Sequence, residues 1–288
     1  MRVKDKYLNP FTDFGFKKLF GIEPNKDILI DFLNELLRKD EGEIKDITYL
    51  SQEQLGRIMS ERKAVFDIYC ENERGEKFIV ELQKAKQNYF KDRSIYYSTF
   101  PIQNQAEKGG WDFELKSVYT VGILDFVFDE DKDCNQVFHH EVQLFDKSIQ
   151  EVFYDKLTYI YLEMPKFTKA IDELETHFDK WLYVLKNLEN LTDRPVKLRE
   201  RIFNKLFEQA EISSFDDEEY SEYEKSLKTY RDLKNSIDTA RGEGREEGRK
   251  EGREEEKITI AEKMKQQNVP LEIISRSTGL RIEEIEKL

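Results

Sequence analysis

Apolar positions recur first at helical and then at strand spacing. Ile28, Leu29, Phe32, Leu33, Leu36 and Leu37 mark one helix face, with Asn25 in the N-cap position. Short apolar runs follow at Ile44–Leu50, Ala64–Cys70, Phe78–Gln83 and Val118–Phe128, and each reads as a strand. The second and third are joined by ENERGEK, whose Gly75 suits a hairpin turn. A helical pattern lies between Gln87 and Lys108, with a break expected at Pro101. Two further strands are expected at Val137–Leu144 and Leu157–Leu162. The order predicts an α/β (α+β) core: a small mixed sheet flanked by helices, with a helical C-terminal extension.

After Pro165 the chain becomes polar and helical to about residue 240, with Trp181, Val184, Leu185 and Leu188 as apolar positions. The tract 241–257, RGEGREEGRKEGREEEK, repeats every four residues: Gly244, Gly248 and Gly252, then Arg245, Arg249 and Arg253, then Glu247, Glu251 and Glu255. Such a repeat stacks each residue type along one helix face. Glycine inside a helix costs about 1 kcal/mol against alanine. The tract is therefore either a flexible linker or a helix whose glycine face admits another backbone. Residues 258–288 read as three short helices in helix-turn-helix spacing. The last, RIEEIEKL, is too acidic for a major groove and suits packing or oligomerisation. The expected organisation is a domain at 1–240 (core 1–165, helical part 166–240), the repeat at 241–257, and the tail at 258–288.

Composition narrows the setting. The 288 residues can bury a substantial core without staples. Cys70 and Cys134 are too few for a disulfide framework or a structural zinc site and fit a reducing compartment. No run approaches the roughly 18 apolar residues of a membrane span, and MRVKDKYLNPF lacks the apolar stretch of a signal peptide. A soluble, cytoplasmic protein is expected. The net charge of -13 disfavours nucleic acid at first sight. However, residues 1–128 hold 20 Lys+Arg against 22 Asp+Glu, so the acidity lies in the second half and a basic groove is possible in the first.

The chemistry concentrates in the hairpin. Glu81 and Gln83, two apart in FIVELQKAK, share a strand face, and pairing with VFDIYC can bring Asp67 beside them. Two carboxylates on adjacent strands can hold Mg²⁺, which prefers oxygen ligands and keeps several waters. Such an ion activates water and stabilises charge on a phosphate. Spacing alone also fits two half-exposed strands with no site. An unpaired Asp67 among apolar neighbours would be costly, and the segment after Gln83 is basic, with Lys84, Lys86, Lys91 and Arg93 against Asp92. Tyr97 shares a helix face with Arg93, where it can reach DNA or pack in the core. His139 and His140 face opposite ways on a strand and lack a companion set for zinc. His177 lies on a polar helix, Cys70 has no local histidine to make it a nucleophile, and Trp111 and Trp181 suit core or interface anchoring. DFGF at 13–16 lacks the other kinase motifs.

The spacing Asp67-x13-Glu81-x-Gln83 resembles the PD-(D/E)XK nuclease motif. In its E-x-Q form it is similar to the bacterial recombination-promoting nuclease (Rpn) family, the PD-(D/E)XK nuclease family transposases. DFGFKKLFG (13–21) with DILIDFLNELL (27–37), YFKDRSIYYS (89–98) and YIYLEMPKF (159–167) resemble other segments of that family, in the same order. The resemblance implies a Mg²⁺-dependent DNA endonuclease, with Mn²⁺ as a substitute and no small-molecule cofactor, that makes breaks promoting recombination. Asp67 and Glu81 would ligate the metal with the backbone carbonyl of Leu82. Gln83 would stand where the wider superfamily has lysine, which shifts charge stabilisation onto the metal and onto Arg93 and Lys84. Lys86 and Tyr97 are further candidate DNA contacts, and Glu35 a possible further acid. DNA is the expected partner, with no membrane, and a homo-oligomer through 241–288 is expected. The alternative is a non-catalytic oligomerising protein with a vestigial site.

Overall fold

The computed structural model describes residues 5–37, 42–54, 64–106, 112–128 and 137–288. Trp111 and Cys134 lie outside them. The chain divides into two compact units, Met1–Arg231 and Asp232–Leu288.

The first unit is built on a six-stranded mixed sheet. Its strands are β1 (Ile47–Tyr49), β4 (Ile68–Asn72), β5 (Lys77–Gln83), β6 (Val118–Leu124), β7 (His139–Asp146) and β8 (Glu151–Glu163), in the order β1-β4-β5-β6-β8-β7. A separate two-stranded sheet joins β2 (Glu53–Gln54) to β3 (Ala64–Val65). β5, β6 and β8 are parallel, and the outer pairings are antiparallel. The parallel step from β5 to β6 requires a crossover, and α3 (Phe90–Asn104) supplies it.

Side-chain alternation divides the sheet into two faces. Phe78, Val80 and Leu82 of β5, with Tyr119, Val121 and Ile123 of β6, join the main core. There they meet α1 (Asp13–Phe20), α2 (Lys26–Leu37), α4 (His177–Asn187) and α5 (Arg201–Ala210). Trp181 is fully buried at its centre, with ring centroids 5.5 Å from Phe32 and 5.1 Å from Phe203. The opposite face packs under α3 through two smaller clusters, Phe90 with Tyr159 and Tyr161, and Phe66, Tyr69 and Ile79 with Tyr97 and Phe100.

Several elements depart from the sequence expectation. The strand expected at Ala64–Cys70 is broken at Phe66–Asp67, because Asp67 turns its polar groups onto β5. α3 runs through Pro101 without a break. Hydroxyls of Ser98 and Thr99 donate to the carbonyls of Ile95 and Tyr96 in the turn before it. Asn25 does not cap α2. It sits in a 3-10 turn and donates to the Lys18 carbonyl at 2.8 Å. An unexpected helix, α1, is capped by Thr12, whose hydroxyl accepts from the Gly15 N–H at 3.0 Å.

The long helix α6 spans Asp217–Gln266. Its first turns belong to the first unit, burying Tyr223, Leu227 and Tyr230. The tract 241–257 lies within this helix, and among the described residues nothing is within 4 Å of a side chain built on Gly244, Gly248 or Gly252. The division between units falls at Arg231/Asp232, inside the helix. In the second unit α6 ends against α7 (Leu271–Thr278) and α8 (Ile282–Glu286), around buried Ala261, Ile274 and Ile285. Among the described residues no helix is long and apolar enough to cross a membrane.

Candidate active site

The site is built where β5 leaves the sheet. Ile79, Glu81 and Gln83 share the face under α3, and the antiparallel register Ile68↔Val80 carries Asp67 up to Glu81. The two residues are tied twice. The Asp67 N–H donates to Glu81 Oε1 at 3.2 Å, and the Leu82 N–H donates to Asp67 Oδ2 at 2.8 Å. Gln52 Nε2 donates to the Asp67 carbonyl at 2.8 Å, which fixes the backbone of the strand break.

Electrostatics set this pair apart. Burial, and then the neighbouring Asp67 charge, push the Glu81 carboxyl up to about 8. Burial also raises Asp67, against the Leu82 N–H that favours its charged form. Asp13 of α1 raises Asp67 further, while Lys17 and Lys84 oppose the rise. Lys17 is itself paired with Asp13 at 3.3 Å. Lys84 is half-buried, and burial lowers its pKa against the pull of Asp13 and Asp67. Asp13 and Lys17 belong to the DFGFKK signature, but nothing in residue spacing set them beside Asp67.

Gln83 is buried and has both ends of its amide engaged. Its Nε2 donates to the Ala85 carbonyl at 2.8 Å, and its Oε1 accepts from Arg93 Nη2. Arg93 also donates to Gln87 Oε1 at 2.5 Å and lies over the rings of Phe90 and Tyr97 at 5.3 and 5.6 Å. Its charge lowers the Glu81 pKa. Across the sheet, Glu81 sits opposite Gly122. A Cβ there would lie 3.0 Å from Tyr161 Cδ1 and 3.5 Å from Phe90 Cζ. Glycine thus leaves room for the Tyr161 ring and for Leu124, while Phe90 stays at ordinary contact distance.

The other expected site residues lie as follows. Lys86 is exposed on the segment after β5. Tyr97 packs its ring edge-on to Phe66 at 5.4 Å, under Arg93, and is half-buried rather than presented to solvent. Glu35 of α2 contributes charge that raises the His177 pKa. That histidine contacts Asp31 at 2.7 Å and Glu200 at 2.8 Å, and the Asp31 hydrogen bond raises its pKa. His140 belongs to a separate buried cluster with Glu163, Lys166 and the Phe128 N–H.

A divalent cation fits the donor set. Two carboxylates close enough for the charge of Asp67 to raise the Glu81 pKa are relieved by a positive charge between them, and oxygen donors suit Mg²⁺. Among the described residues no three His, Cys, Asp or Glu side chains converge on one point. A cation at Asp67 and Glu81 would therefore need backbone oxygen and water to complete its shell, as Mg²⁺ does.

No curated protein and no solved structure matches the chain. The sequence profile of the PD-(D/E)XK nuclease family transposases matches residues 10–240, which takes in β1–β8, α1–α5, the acidic pair and the first turns of α6. The chain belongs to the PD-(D/E)XK nuclease family transposases, a nuclease family with DNA as its implied substrate.

Proposed function

We propose that this protein is a Mg²⁺-dependent endodeoxyribonuclease whose breaks promote DNA recombination, with Asp67, Glu81 and Gln83 as its central residues. The observation that carries the reading is the half-buried Asp67–Glu81 pair, hydrogen-bonded to one β-strand and flanked by Lys17, Lys84 and Arg93. A divalent cation held by Asp67, Glu81 and the Leu82 carbonyl would supply Lewis-acid activation of water and neutralise phosphate charge.

The remaining roles fall to the chain itself. Gln83 cannot donate charge, and its Oε1 instead fixes the Arg93 guanidinium beside Glu81. Arg93 thereby delivers the positive charge that a lysine brings at this position in the wider superfamily, where negative charge develops on the phosphate. Lys84, half-buried beside Asp67, holds a neighbouring phosphate oxygen, and exposed Lys86 tracks the backbone further out. A cytoplasmic setting agrees with the free, buried Cys70.

The test is incubation of supercoiled plasmid with the purified protein in Mg²⁺, in Mn²⁺ and in EDTA, beside an Asp67→Ala variant. The expected result is nicking in either metal, none in EDTA and none by the variant. Equal nicking by wild type and Asp67→Ala would overturn the proposal. A parallel incubation with RNA separates DNA from RNA as substrate.

A further inference from the structure

We propose that the cleft between α1, the segment after β5 and the first turns of α6 seats an unpaired stretch of a DNA strand beside the acidic pair. This deepens the nuclease reading and rests on it. The cleft encloses about 710 Å³ and lies within the first unit. Four lysines line it: Lys17 and Lys18 of α1, Lys84 after β5, and Lys225 of α6. It adjoins the candidate site. Lys84 directly follows Gln83, and the charges of Asp13, Lys17 and Lys84 on the cleft wall all act on Asp67. Lys17 acts on Glu81 as well, and so does Arg93 from α3. Cations thus meet the pair from the helix layers on both faces of the sheet.

The lining side chains sort into those already engaged and those left for a ligand. Lys17 pairs with Asp13 at 3.3 Å, and Lys18 pairs with Glu219. Among the described residues Lys84 and Lys225 form no ion pair; Lys84 is half-buried and Lys225 exposed. Two such ammonium groups on one cleft suit phosphate oxygens. Phe14 and Ile22, both half-buried, add an apolar wall. A phosphate gains nothing from that wall, whereas a base packs on it. Glu222 also lines the cleft and forms no ion pair among the described residues. A carboxylate repels a phosphate but accepts from the amino group of a base. The lining therefore suits whole nucleotides rather than a bare phosphate track.

Size selects an unpaired strand. The volume of about 710 Å³ falls in the range of small-molecule pockets, about 300–1,000 Å³. It admits a nucleotide or two and is too small for a duplex, whose major groove alone is about 12 Å wide. A base held in a duplex also has no free face for the apolar wall. α6 closes the cleft with one helix face, on which Glu222, Ser226 and Thr229 follow at spacings of four and three. The Ser226 hydroxyl accepts from the Phe14 N–H at 3.1 Å and ties that face to the start of α1. The wall is thus part of the fold, and it favours duplexes that carry an overhang, flap or gap over blunt ones.

Fluorescence anisotropy of labelled DNA with the full chain in EDTA tests this without cutting. The probes are a blunt duplex and the same duplex with a short single-stranded overhang. Wild type is expected to bind the overhang duplex about tenfold more tightly, the worth of one stacked base. Lys225→Glu is expected to abolish that preference and to keep the wild-type melting midpoint, because the side chain is exposed. Lys228→Glu, on the same helix but outside the cleft lining, is expected to retain the preference. Equal affinity of wild type for the two duplexes, or a preference that survives Lys225→Glu, overturns the proposal. So does a preference lost equally in Lys228→Glu, which marks a general charge effect. Metal-dependent nicking without an overhang preference strikes this proposal and leaves the nuclease reading. An overhang preference lost in Lys225→Glu, without any nicking, upholds the cleft and strikes the nuclease reading alone.

Discussion

Replacing Glu81 by glutamine should stabilise the metal-free protein at neutral and alkaline pH and flatten its pH dependence. Burial and the Asp67 charge move the Glu81 carboxyl from 4.5 to about 8 on folding. Between those values the folded state holds a proton that the unfolded chain has released. The contribution is therefore fully present below about pH 4.5 and is lost as pH rises through the folded value. One proton is worth about 1.4 kcal/mol per pH unit, or about 4 kcal/mol between pH 5 and 8. Glu81 keeps partial access to solvent, and screening there reduces this to about 2–3 kcal/mol. For a unit of this size the melting temperature should fall by about 4–12 °C over that range. His177, raised by its hydrogen bond to Asp31, also loses its contribution as pH rises, but it is common to both proteins and cancels in their difference. The assay is calorimetric melting in EDTA at half-unit steps from pH 5 to 8.5. Added Mg²⁺ at pH 8 should raise the wild-type midpoint and leave Glu81→Gln unmoved. Parallel curves for the two proteins would refute the crowded carboxylate pair.

Three further outcomes are expected. Arg93→Ala should lower the cleavage rate about 10²-fold, and Arg93→Lys should restore little, because lysine cannot reach Gln83 and Gln87 with one rigid fork; single-turnover rates decide it. Glu163→Ala should lose about 3–5 kcal/mol in a denaturant melt, since it leaves Lys166, with a side chain only 4% exposed, without its carboxylate; Glu163→Leu combined with Lys166→Met should recover most of that. Gly122→Ala should lose about 1–3 kcal/mol, as its Cβ meets Tyr161 at 3.0 Å and Leu124 at 3.3 Å, and an unchanged midpoint would show that the sheet yields there.

The acidic pair was legible because strand periodicity and a hairpin suffice to align Asp67 with Glu81, and both are local properties. The interruption at Asp67 was not, since the residue leaves its strand to take the Leu82 N–H, a choice made by the folded pair. Glu35 and Asp13 show the same limit. Both are acids on N-terminal helices, and only the packing of α1 and α2 brings the charge of Asp13 to bear on Asp67 and that of Glu35 on His177. The grip of Arg93 on Gln83 spans the turn into α3, which no spacing rule contains. α1 escaped periodicity because it is short and carries Gly15. The outer half of β8 escaped because Val152, Phe153 and Tyr154 follow one another with no apolar–polar alternation to read.

The most direct test of the central claim is single-turnover cleavage of labelled duplex DNA in Mg²⁺ by wild type and Glu81→Gln, with melting curves showing both folded. The account predicts metal-dependent cutting by wild type and a loss of about 10³-fold or more in the variant, which keeps the shape and loses the charge. Equal rates for the two proteins, or no cutting by folded wild type in Mg²⁺ or Mn²⁺, would contradict it.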